Sequence, residues 1–595
     1  MLHAQQDKVS FSLPGGFYEQ SMPLVLTCGE GHHVHYTTNG NTPTSQSASY
    51  RDTLMLDESL YSTSDIFRIP SSYEELFYAP DSVQKCITIR AAAFDASGER
   101  VGPVVTQSYF IRSLGIDTHG LAVVSLCVDS LDLFDYWTGI YVPGIYYDPA
   151  DPEWTGNYYQ SGDEWERLAN VEFYEPSDNS GINQMAGLRT HGGTARRGTQ
   201  KGMKLYARKE YGTKRFKHRF FEELPIESYK HLVLKPFASY WFTEGINDDI
   251  CNRMASQLDI ETVTARPVVL FLDGEYWGIY YLKERPDAHF LEDHFGYEND
   301  EYNVVSNWYG YQADGDTTGF VAMMDWIALC DPTDPDVFAR ICSMIDVESF
   351  IDYYCLELFI ANADWPSNNM RCYQHLNGPW RWIFFDGDNG LLFPNFDVFD
   401  NATTTLSPGW PTDWQSTLMF RKLLENNGFK EHFFHRFQQL ISTQFDYAET
   451  KPLYDTVASL VREEVPQQAS RFHLPETLRH WERSIIAIDS FLYNRRDDLE
   501  ESIESFVDAM QLSATGLKVF PNPACDQVYV DYYGEALGES EIAIYDVLGR
   551  KVYSERIYLD LLSKRFCIHP QLRQGCYLLK IENRMQYLII QANQP

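Results

Sequence analysis

Two acidic segments in the middle of the chain carry the residue types that a phosphoryl-transfer site uses. The first, Asp364-Trp-Pro-Ser-Asn-Asn369, places an Asp and an Asn on one loop, where a carboxylate can orient a hydroxyl and an amide can bind a metal. The second, Asp386-Gly-Asp388, follows a strand end and adds two carboxylates that can complete a Mg²⁺ shell. Both lie downstream of a segment rich in Gly, Arg and Lys, from Gly192 to Lys204. This order predicts a kinase-like reaction.

The upstream segment predicts an anion-binding loop. Gly192, Gly193 and Thr194 precede Lys201 and a strand. Glycines let backbone N–H groups approach phosphate oxygens, and a lysine adds a fixed positive charge. The spacing matches neither a Walker A loop nor the G-x-G-x-x-G of protein kinases. On composition alone, a plain charged hairpin remains an equal alternative.

The second acidic segment also has a competing interpretation. Asp-Gly and Asn-Gly pairs favour hairpin turns, so Asp386-Gly-Asp-Asn-Gly390 can be a simple turn. A calcium loop of the EF-hand type does not fit. Gly390 and Leu391 stand where that loop needs an oxygen ligand and a glycine.

Charge and composition narrow the classes of partner. The formal net charge of -36 argues against nucleic acid and against an anionic membrane surface. The sequence has no apolar stretch long enough to span a membrane. The 11 cysteines form no C-x-x-C pair, so spacing predicts neither a zinc site nor a disulfide framework.

The pattern of strands and helices predicts three domains that would position these residues. Residues 9–113 alternate as strands with a hairpin signal at Asn39-Gly40, residues 117–506 alternate strands with helices, and residues 515–595 return to strands. Residues 1–8 are predicted to be the stub of a cleaved signal peptide, which implies export. The predicted fold is multidomain, with an α+β kinase-like centre between two small antiparallel β-sandwich domains.

Within the central domain, three elements are predicted from periodicity. Glu244 to Leu258 carries an apolar stripe at intervals of four residues and predicts a helix packed on a sheet. Pro267 to Leu282 predicts a hairpin with its turn at Asp273-Gly274. The stretch from about 450 to 505 is predicted to be helical, with a buried side made of Trp481, Ile485, Ile486, Phe491 and Leu492.

The motifs of residues 117–506 resemble the CotH-type kinases, atypical secreted or surface protein kinases with a reduced kinase-like fold. Besides the Gly192 to Lys204 segment, the resemblance rests on Leu270-Phe-Leu-Asp-Gly-Glu-Tyr-Trp-Gly-Ile-Tyr280, Asn362-Ala-Asp-Trp365 and Phe384-Phe-Asp-Gly-Asp388, which occur in the family's order. Many members have Arg-Gly-Asn-Ser where this chain has His191-Gly-Gly-Thr-Ala.

The resemblance implies a role for each candidate residue. Lys201 would contact phosphate, and Asp364 would orient the acceptor hydroxyl. The metal ligands would be Asn369, Asp386 and Asp388, with Mg²⁺ or Mn²⁺ as the metal and ATP as co-substrate. The other nucleotide-binding residues would be Arg189, Gly192, Gly193, Thr194, Arg197 and Glu284. For Glu284, a surface salt bridge remains an alternative.

Two flanking segments resemble other families. His35-Tyr-Thr-Thr-Asn-Gly-Asn-Thr-Pro43 resembles the Fn3-like domain at the C-terminal end of chitobiases. Ile542-Ala-Ile-Tyr-Asp-Val-Leu-Gly-Arg550 and Gly575-Cys-Tyr-Leu-Leu-Lys-Ile581 resemble the C-terminal sorting domain of type IX secretion. This second resemblance implies the type IX machinery as a partner and a location at the cell surface or in the medium.

Two functions follow from these residues. The first is a Mg²⁺- and ATP-dependent kinase that acts on Ser or Thr of surface or secreted proteins. The alternative is a surface adhesin or glycan-binding protein in which the kinase-like domain is only a scaffold. The retained Asp and Asn residues favour the enzyme.

Overall fold

The computed structural model describes residues 8–239, 243–310, 312–406 and 412–509 and, in the C-terminal part, 517–520, 522, 524, 527–532, 538–559, 565–582 and 584–591. Of the predicted signal-peptide stub, residues 1–8, only residue 8 is among the described residues, and residues 1–7 lie outside them. The chain divides into two units. The first contains the residues up to Asp249 with Val263–Gly296 and Tyr454–Ala487, and the second contains the other segments.

Nine strands make up the N-terminal module of the first unit. They are β1 (Ser10–Phe11), β2 (Gly16–Tyr18), β3 (Pro23–Leu24), β4 (Leu26–Thr27), β5 (His33–Thr37), β6 (Ala48–Ser49), β7 (Leu54–Met55), β8 (Ile87–Phe94) and β9 (Val105–Ile111). Five of them form a sheet in the order β2-β9-β8-β5-β6. The β2–β9 pair is parallel, so the prediction of a purely antiparallel module was wrong.

The hairpin predicted at Asn39-Gly40 is also absent from the described residues. Strand β5 ends at Thr37 and its partner β6 begins at Ala48, so a longer loop joins them. Gly40 has a φ of 82°, and a Cβ added to it would lie 2.3 Å from Cγ of Asp273. The glycine therefore allows the side chain of Asp273 to approach the backbone closely, and local turn signals cannot distinguish this use of glycine from a hairpin.

The next elements along the chain are β10 (Ala122–Val128), α1 (Ser130–Phe134), β11 (Arg167–Tyr174), β12 (Gly181–His191), β13 (Gly202–Tyr206), β14 (Phe216–Lys217), β15 (Ser228–Tyr229), β16 (His231–Pro236), α2 (Asn247–Ala255), β17 (Glu261–Thr262), β18 (Ala265–Leu272), β19 (Glu275–Lys283) and α3 (Ala288–Phe295). The hairpin β18–β19 and its turn are confirmed, since Leu272 pairs with Glu275. Asp273 and Gly274 both have positive φ, as the tight hairpin turn requires.

Seven of these strands close into a barrel in the order β10-β11-β12-β13-β16-β19-β18. The pairing of β10 with β18 is parallel and closes the ring, with Val124 beside Leu270. Side chains such as Leu188, Leu234 and Leu282 fill the interior. The sequence analysis predicted the strands but not the barrel, because closure depends on a pairing between strands far apart in the chain.

Further elements are β20 (Tyr302–Val305), β21 (Gln312–Asp314), α4 (Thr318–Leu329), α5 (Pro335–Met344), α6 (Val347–Ile360), β22 (Cys372–His375), β23 (Arg381–Phe384), α7 (Val398–Thr403), α8 (Leu418–Leu424), α9 (Asn427–Ile441), α10 (Tyr447–Val461), α11 (Val465–Phe472) and α12 (Leu478–Ala509). In the second unit, a five-stranded sheet has the order β17-β23-β22-β20-β21. Helix α6 is buried from Ser349 to Ile360, and its N-cap Asp346 accepts a hydrogen bond from the Ser349 N–H at 3.1 Å.

Helix α12 confirms the helix predicted to end near residue 505 and corrects one member of its buried side. Trp481, Ile485, Phe491 and Leu492 are buried, but Ile486 is 58% exposed. Ile486 directly follows Ile485, and successive helical residues are turned by about 100°. The two cannot share one narrow face.

Seven strands form the C-terminal domain: β24 (Leu517–Phe520), β25 (Val528–Tyr532), β26 (Gly538–Asp546), β27 (Lys551–Leu559), β28 (Arg565–Ile568), β29 (Gly575–Ile581) and β30 (Arg584–Ile590). They make a three-stranded and a four-stranded sheet, in the orders β24-β25-β28 and β27-β26-β29-β30. One apolar cluster lies between them. Among the described residues of the whole chain, no helix is both long enough and apolar enough to cross a bilayer.

A buried carboxylate joins the N-terminal module to the barrel. Glu172 on β11 is fully buried and accepts hydrogen bonds from the Ser108 N–H at 3.1 Å and from the Ser108 hydroxyl at 2.6 Å. The Tyr174 hydroxyl and the Asn183 amide donate at 2.7 and 3.0 Å to Oε1, the oxygen that also accepts the Ser108 N–H. Burial raises the pKa of Glu172 above its ordinary value. The carboxylate is the common acceptor that lets these donors be buried.

Replacing Glu172 with Ala should destabilise the protein by about 2–4 kcal/mol, because it leaves several buried donors without an acceptor. Urea unfolding followed by intrinsic fluorescence measures the loss. Glu19→Ala is the control, since Glu19 pairs with Arg112 at 3.1 Å on the surface of the same module. It should hardly move the unfolding midpoint. Equal midpoints for the two variants would show that the interface does not depend on Glu172.

Candidate functional site

The loop that follows helix α6 holds the predicted Asp and Asn together. The helix ends at Ile360, and the next residue, Ala361, takes a left-handed conformation with a φ of 52°. The Oδ2 atom of Asp364 accepts hydrogen bonds from the side-chain amides of Asn369 at 2.8 Å and Asn368 at 3.1 Å. One carboxylate oxygen is therefore fixed by two amides of its own loop.

The other carboxylate oxygen of Asp364 is buried and has no hydrogen-bond partner among the described residues. An unpaired buried oxygen of this kind is costly unless a ligand satisfies it. This oxygen is therefore available to a ligand that donates a hydrogen bond or coordinates it.

The turn that carries Asp386 and Asp388 lies beside this loop. Strand β23 ends at Phe384, so both aspartates lie in the turn after the strand. The Ala363 N–H donates to the Asn389 carbonyl at 3.3 Å, and the Leu391 N–H donates to the Ile360 carbonyl at 2.7 Å. These two backbone hydrogen bonds bring the two predicted acidic segments together.

Side chains from the surrounding helices hold the loop in place. The Trp308 indole donates to the Pro366 carbonyl at 2.9 Å, and the Asn401 amide donates to the Trp365 carbonyl at 2.7 Å. Asn362 donates to Glu357 at 2.9 Å and accepts from the Asp364 N–H at 3.1 Å. Trp308 was not predicted, and Asn362 was noted only as part of the Asn362-Ala-Asp-Trp365 motif, with no role assigned to it.

Two of the three predicted metal ligands have left-handed backbone conformations. Asn369 and Asp386 both have positive φ, of 55° and 66°. Beside Asp386, a Cβ added to Gly387 would lie 2.7 Å from the Cβ of Cys251. Left-handed conformations of residues other than glycine persist only where the surroundings enforce them, and they cluster at functional sites.

The three carboxylates repel one another. Burial, then the charges of Asp386 and Asp388, raise the pKa of Asp364 to about 8, against the opposing effect of the two amide hydrogen bonds. Burial together with the charges of Asp364 and Asp386 raises the pKa of Glu357 to about 8 as well. A divalent cation would relieve this concentration of negative charge.

The oxygen-bearing side chains of this site fit a Mg²⁺ ion that is held jointly by the protein and by the phosphates of a nucleotide. No group of three or more His, Cys, Asp or Glu side chains that could hold a metal is present among the described residues. Mg²⁺ needs no such cage, since one or two carboxylates with phosphate oxygens and waters hold it. Asp386 and Asp388 can supply the carboxylates and Asn369 an amide oxygen.

In the first unit, the predicted phosphate-binding loop connects β12 to β13, but its lysine turns inward. Lys201 is fully buried, and its ammonium donates to the carbonyls of Arg196 and Gly198, both at 2.8 Å. The ammonium also lies 4.0 Å from the ring centroid of Tyr158. Burial lowers the pKa of Lys201 well below its ordinary value. These contacts close the loop and differ from the expected phosphate contact.

The remaining predicted loop residues lie close together but are engaged within the protein. Gly192 has a φ of 100°, and Thr194 begins a short 3-10 helix directly after Gly193. Arg197 is buried and pairs with Glu153 at 2.9 Å. The loop is therefore preformed, with its arginine used internally.

Arg189 and Glu284 are likewise held by neighbours in the first unit. Arg189 on β12 pairs with Glu166 at 2.8 Å. Glu284 is buried, accepts from the Thr264 N–H at 2.9 Å and contacts Nε2 of His294 at 2.9 Å. Glu284 is thus part of a buried network, which differs from the surface salt bridge kept as an alternative.

Three lysines that the sequence analysis did not single out line the outer face of the barrel. Their neighbours Met203, Leu234 and Leu282 face the interior, so alternation turns Lys204, Lys235 and Lys283 outward. In the strand register, Lys204 lies between Arg189 on one neighbouring strand and Val233 on the other. Val233 in turn pairs with Lys283, so these residues form one row across four strands.

An acidic side chain organises two of these lysines. Oδ2 of Asp248, in the first turn of α2, lies 3.0 Å from the Lys235 ammonium and 2.5 Å from the Lys283 ammonium. Such a pairing of a strand lysine with a helix carboxylate is the arrangement that positions a phosphate-binding lysine in kinases. In the sequence, each of these lysines directly follows an apolar residue that faces the interior, and this was the signal that could have found them.

Comparison with known families assigns three parts of the chain. The model described as CotH kinase protein matches residues 188–499, which is more than half of the chain, so the chain belongs to the CotH kinase protein family. The chitobiase/beta-hexosaminidase C-terminal domain matches residues 13–106, and the secretion system C-terminal sorting domain matches residues 518–591. No curated protein matches the chain.

These matches confirm the three predicted family resemblances. The protein is multidomain, with a β-rich N-terminal domain, a central CotH domain of helices and sheets, and a C-terminal β-domain. The sorting domain indicates that the chain is handled by the type IX secretion machinery and exported to the cell surface or the medium.

The raised pKa of Asp364 predicts pH-dependent binding of a divalent cation. Below a pH of about 8 the carboxyl is largely protonated and neutral, and above it the carboxylate adds its charge to those of Asp386 and Asp388. Affinity for Mn²⁺, measured by electron paramagnetic resonance, should therefore rise as the pH increases through this value. Asp364→Asn should weaken this dependence, and Glu357, whose pKa is also raised to about 8, accounts for what remains. A profile that Asp364→Asn leaves unchanged would contradict the assignment.

Proposed function

We propose that the chain is an atypical protein kinase that transfers the γ-phosphoryl group of ATP to Ser or Thr hydroxyls of surface or secreted proteins. The observation that carries the proposal is the junction of two strained acidic segments, in which Asp364 keeps an unpaired buried oxygen and a pKa raised by Asp386 and Asp388. Membership of the CotH kinase protein family supports the same reaction.

Each part of the acidic site has a separate role in the proposal. A bound cation would favour the carboxylate form of Asp364, which then orients the acceptor hydroxyl and receives its proton, while the Asn369 amide donates to its other oxygen at 2.8 Å. Asp386 and Asp388 would hold Mg²⁺, which when bound neutralises charge on the phosphates. The hydroxyl oxygen bonds to the γ-phosphorus as the bond from phosphorus to the β,γ-bridging oxygen breaks, and ADP leaves.

In the first unit, the lysines on the outer face of the barrel are the candidate phosphate contacts. Lys235 and Lys283 share the Asp248 carboxylate, which fixes both ammonium groups and lowers the entropy lost on binding phosphate. Lys201 instead holds the glycine-rich loop in shape. The pairing of strand lysines with a helix carboxylate also supports a kinase-like fold for the central domain.

The roles of Asp386 and Asp364 separate experimentally. Asp386→Asn should weaken Mg²⁺-dependent ATP binding and turnover together, because the cation acts in the ground state and in the transition state. Asp364→Asn should leave ATP affinity nearly intact while it cuts phosphoryl transfer by roughly a hundredfold or more. Calorimetry with Mg-ATP and radiolabelled autophosphorylation measure the two effects.

Asp325→Asn is the matched control, because Asp325 is an exposed residue of helix α4 in the same unit. It should change neither quantity. If the wild-type protein binds no Mg-ATP and labels neither itself nor a surface protein, the kinase assignment fails and the scaffold alternative gains support.

The barrel lysine Lys283 and the loop lysine Lys201 should differ in how much they contribute to Mg-ATP binding. Lys283→Met should weaken Mg-ATP binding by roughly ten- to a hundredfold, the loss expected for one charged hydrogen bond to phosphate. Lys201→Met should have a much smaller effect, since its ammonium donates to two backbone carbonyls. Lys209→Met, at an exposed lysine of the same basic segment, is the control. A larger loss for Lys201→Met than for Lys283→Met would return the phosphate contact to the glycine-rich loop.

A further inference from the structure

An open cleft of about 500 Å³ lies in the first unit, away from every residue assigned above. One side is the segment from Tyr78 to Ser82, which falls within the match to the chitobiase/beta-hexosaminidase C-terminal domain. The other side is the end of helix α11 and the start of α12, from Pro466 to Leu478, which falls within the CotH match. Clefts of this volume at the junction of two domains are typical of small-molecule sites.

An aromatic pair lies on one wall of the cleft. The rings of Tyr78 and His473 stack with their centroids 5.3 Å apart and their planes 26° from parallel. Tyr78 is 37% exposed, and His473 is exposed as well. The pair therefore presents apolar ring surface to whatever enters the cleft.

Polar groups without partners complete the lining. The carboxylates of Asp81 and Glu476 form no ion pair or side-chain hydrogen bond with any described residue, and the hydroxyls of Ser82 and Ser470 form no hydrogen bond with one. The cleft therefore contains two carboxylates, which only accept hydrogen bonds, and two hydroxyls, which both donate and accept them.

The backbone on both sides of the cleft is fixed. The Thr199 hydroxyl donates to the Leu76 carbonyl at 3.0 Å, which ties the segment before Tyr78 to the barrel. His473 ends helix α11 in a left-handed conformation with a φ of 57°, and its N–H donates to the Ala469 carbonyl. A lining fixed in this way loses little entropy when a ligand binds.

We propose that this cleft binds a neutral oligosaccharide. The C–H face of a sugar ring packs on aromatic surface, and neighbouring sugar hydroxyls donate to carboxylates and exchange hydrogen bonds with serine hydroxyls. The two carboxylates and the net charge of -36 disfavour an anionic ligand. A cation would pair with Asp81 and Glu476 but would leave the donor capacity of the serines unused.

Calorimetry and saturation-transfer NMR with the full chain test the proposal. The probes are the neutral disaccharides maltose, cellobiose, lactose and diacetylchitobiose, with spermidine and trilysine as cations and digalacturonate as an anion. At least one neutral disaccharide should bind with a Kd on the order of 1 mM, a normal value for a short ligand in an open site. No nucleotide is present, so the result is independent of the proposed kinase activity.

Variants on both walls locate the binding. Tyr78→Ala and Glu476→Gln should each weaken disaccharide binding by about tenfold. Because Gln has nearly the same shape as Glu, a loss in Glu476→Gln shows that the effect does not come from misfolding. Trp154→Ala is the control, because Trp154 is 54% exposed in the same unit but does not line the cleft.

Three results would overturn the proposal. The first is the absence of binding by every neutral disaccharide at about 10 mM, well above the expected Kd. The second is binding that both cleft variants leave unchanged. The third is binding of spermidine or trilysine alone, which would assign the cleft to a cationic ligand.

Discussion

Repulsion among carboxylates held close together is the constraint on which the acidic site depends. Asp386 and Asp388 help to raise the pKa of Asp364 to about 8, so the fold keeps them near one another at an electrostatic cost. The backbone hydrogen bonds between the loop and the turn, at 3.3 and 2.7 Å, hold the two segments against this repulsion. Stability gained in the buried helix α6 and its surroundings offsets the cost, as is usual for strained functional sites.

The barrel is subject to a different constraint, the alternation of side chains along its strands, and the groups that this places on its outer face are positively charged. Because side chains alternate along a strand, every apolar residue that fills the interior turns its neighbours outward. On the strands β13, β16 and β19, those neighbours include Lys204, Lys235 and Lys283. Packing of the interior and placement of the cations are thus two consequences of one sequence pattern. Burial of Lys201 in the same unit shows that a lysine outside this alternation can serve the fold instead.

Local patterns predicted the elements of this protein well. The β18–β19 hairpin follows from Asp273-Gly274, whose positive φ values only a few residue types accept. The two acidic segments, singled out by the spacing of their Asp and Asn residues, lie side by side in the structure, while their predicted roles stay predictions. Helix α12 was found from its periodicity, although Ile486 was placed on the wrong side.

What the sequence could not predict depends on contacts between distant segments. Barrel closure requires β10 to pair with β18, and no local signal encodes that pairing. Gly40 suits both a hairpin and a close approach to Asp273, and only the tertiary contact decides between them. Lys201 turns inward because its ammonium donates to two carbonyls of its own loop. Its residue type and its position after the glycines predicted a phosphate contact instead, since neither reveals these hydrogen bonds.

The overall charge of the chain bears on how a nucleotide would reach the site. A net charge of -36 repels free ATP at long range, while the lysines of the barrel attract it only locally. At physiological ionic strength such fields fall off over about 8 Å, so attraction and repulsion act over different distances. Complexation with Mg²⁺ lowers the negative charge of the nucleotide and reduces the repulsion before any contact forms. In the proposed reaction, the same cation would relieve the repulsion among Asp364, Asp386 and Asp388, so the acidic background and the acidic site would both favour the metal-bound nucleotide over the free one.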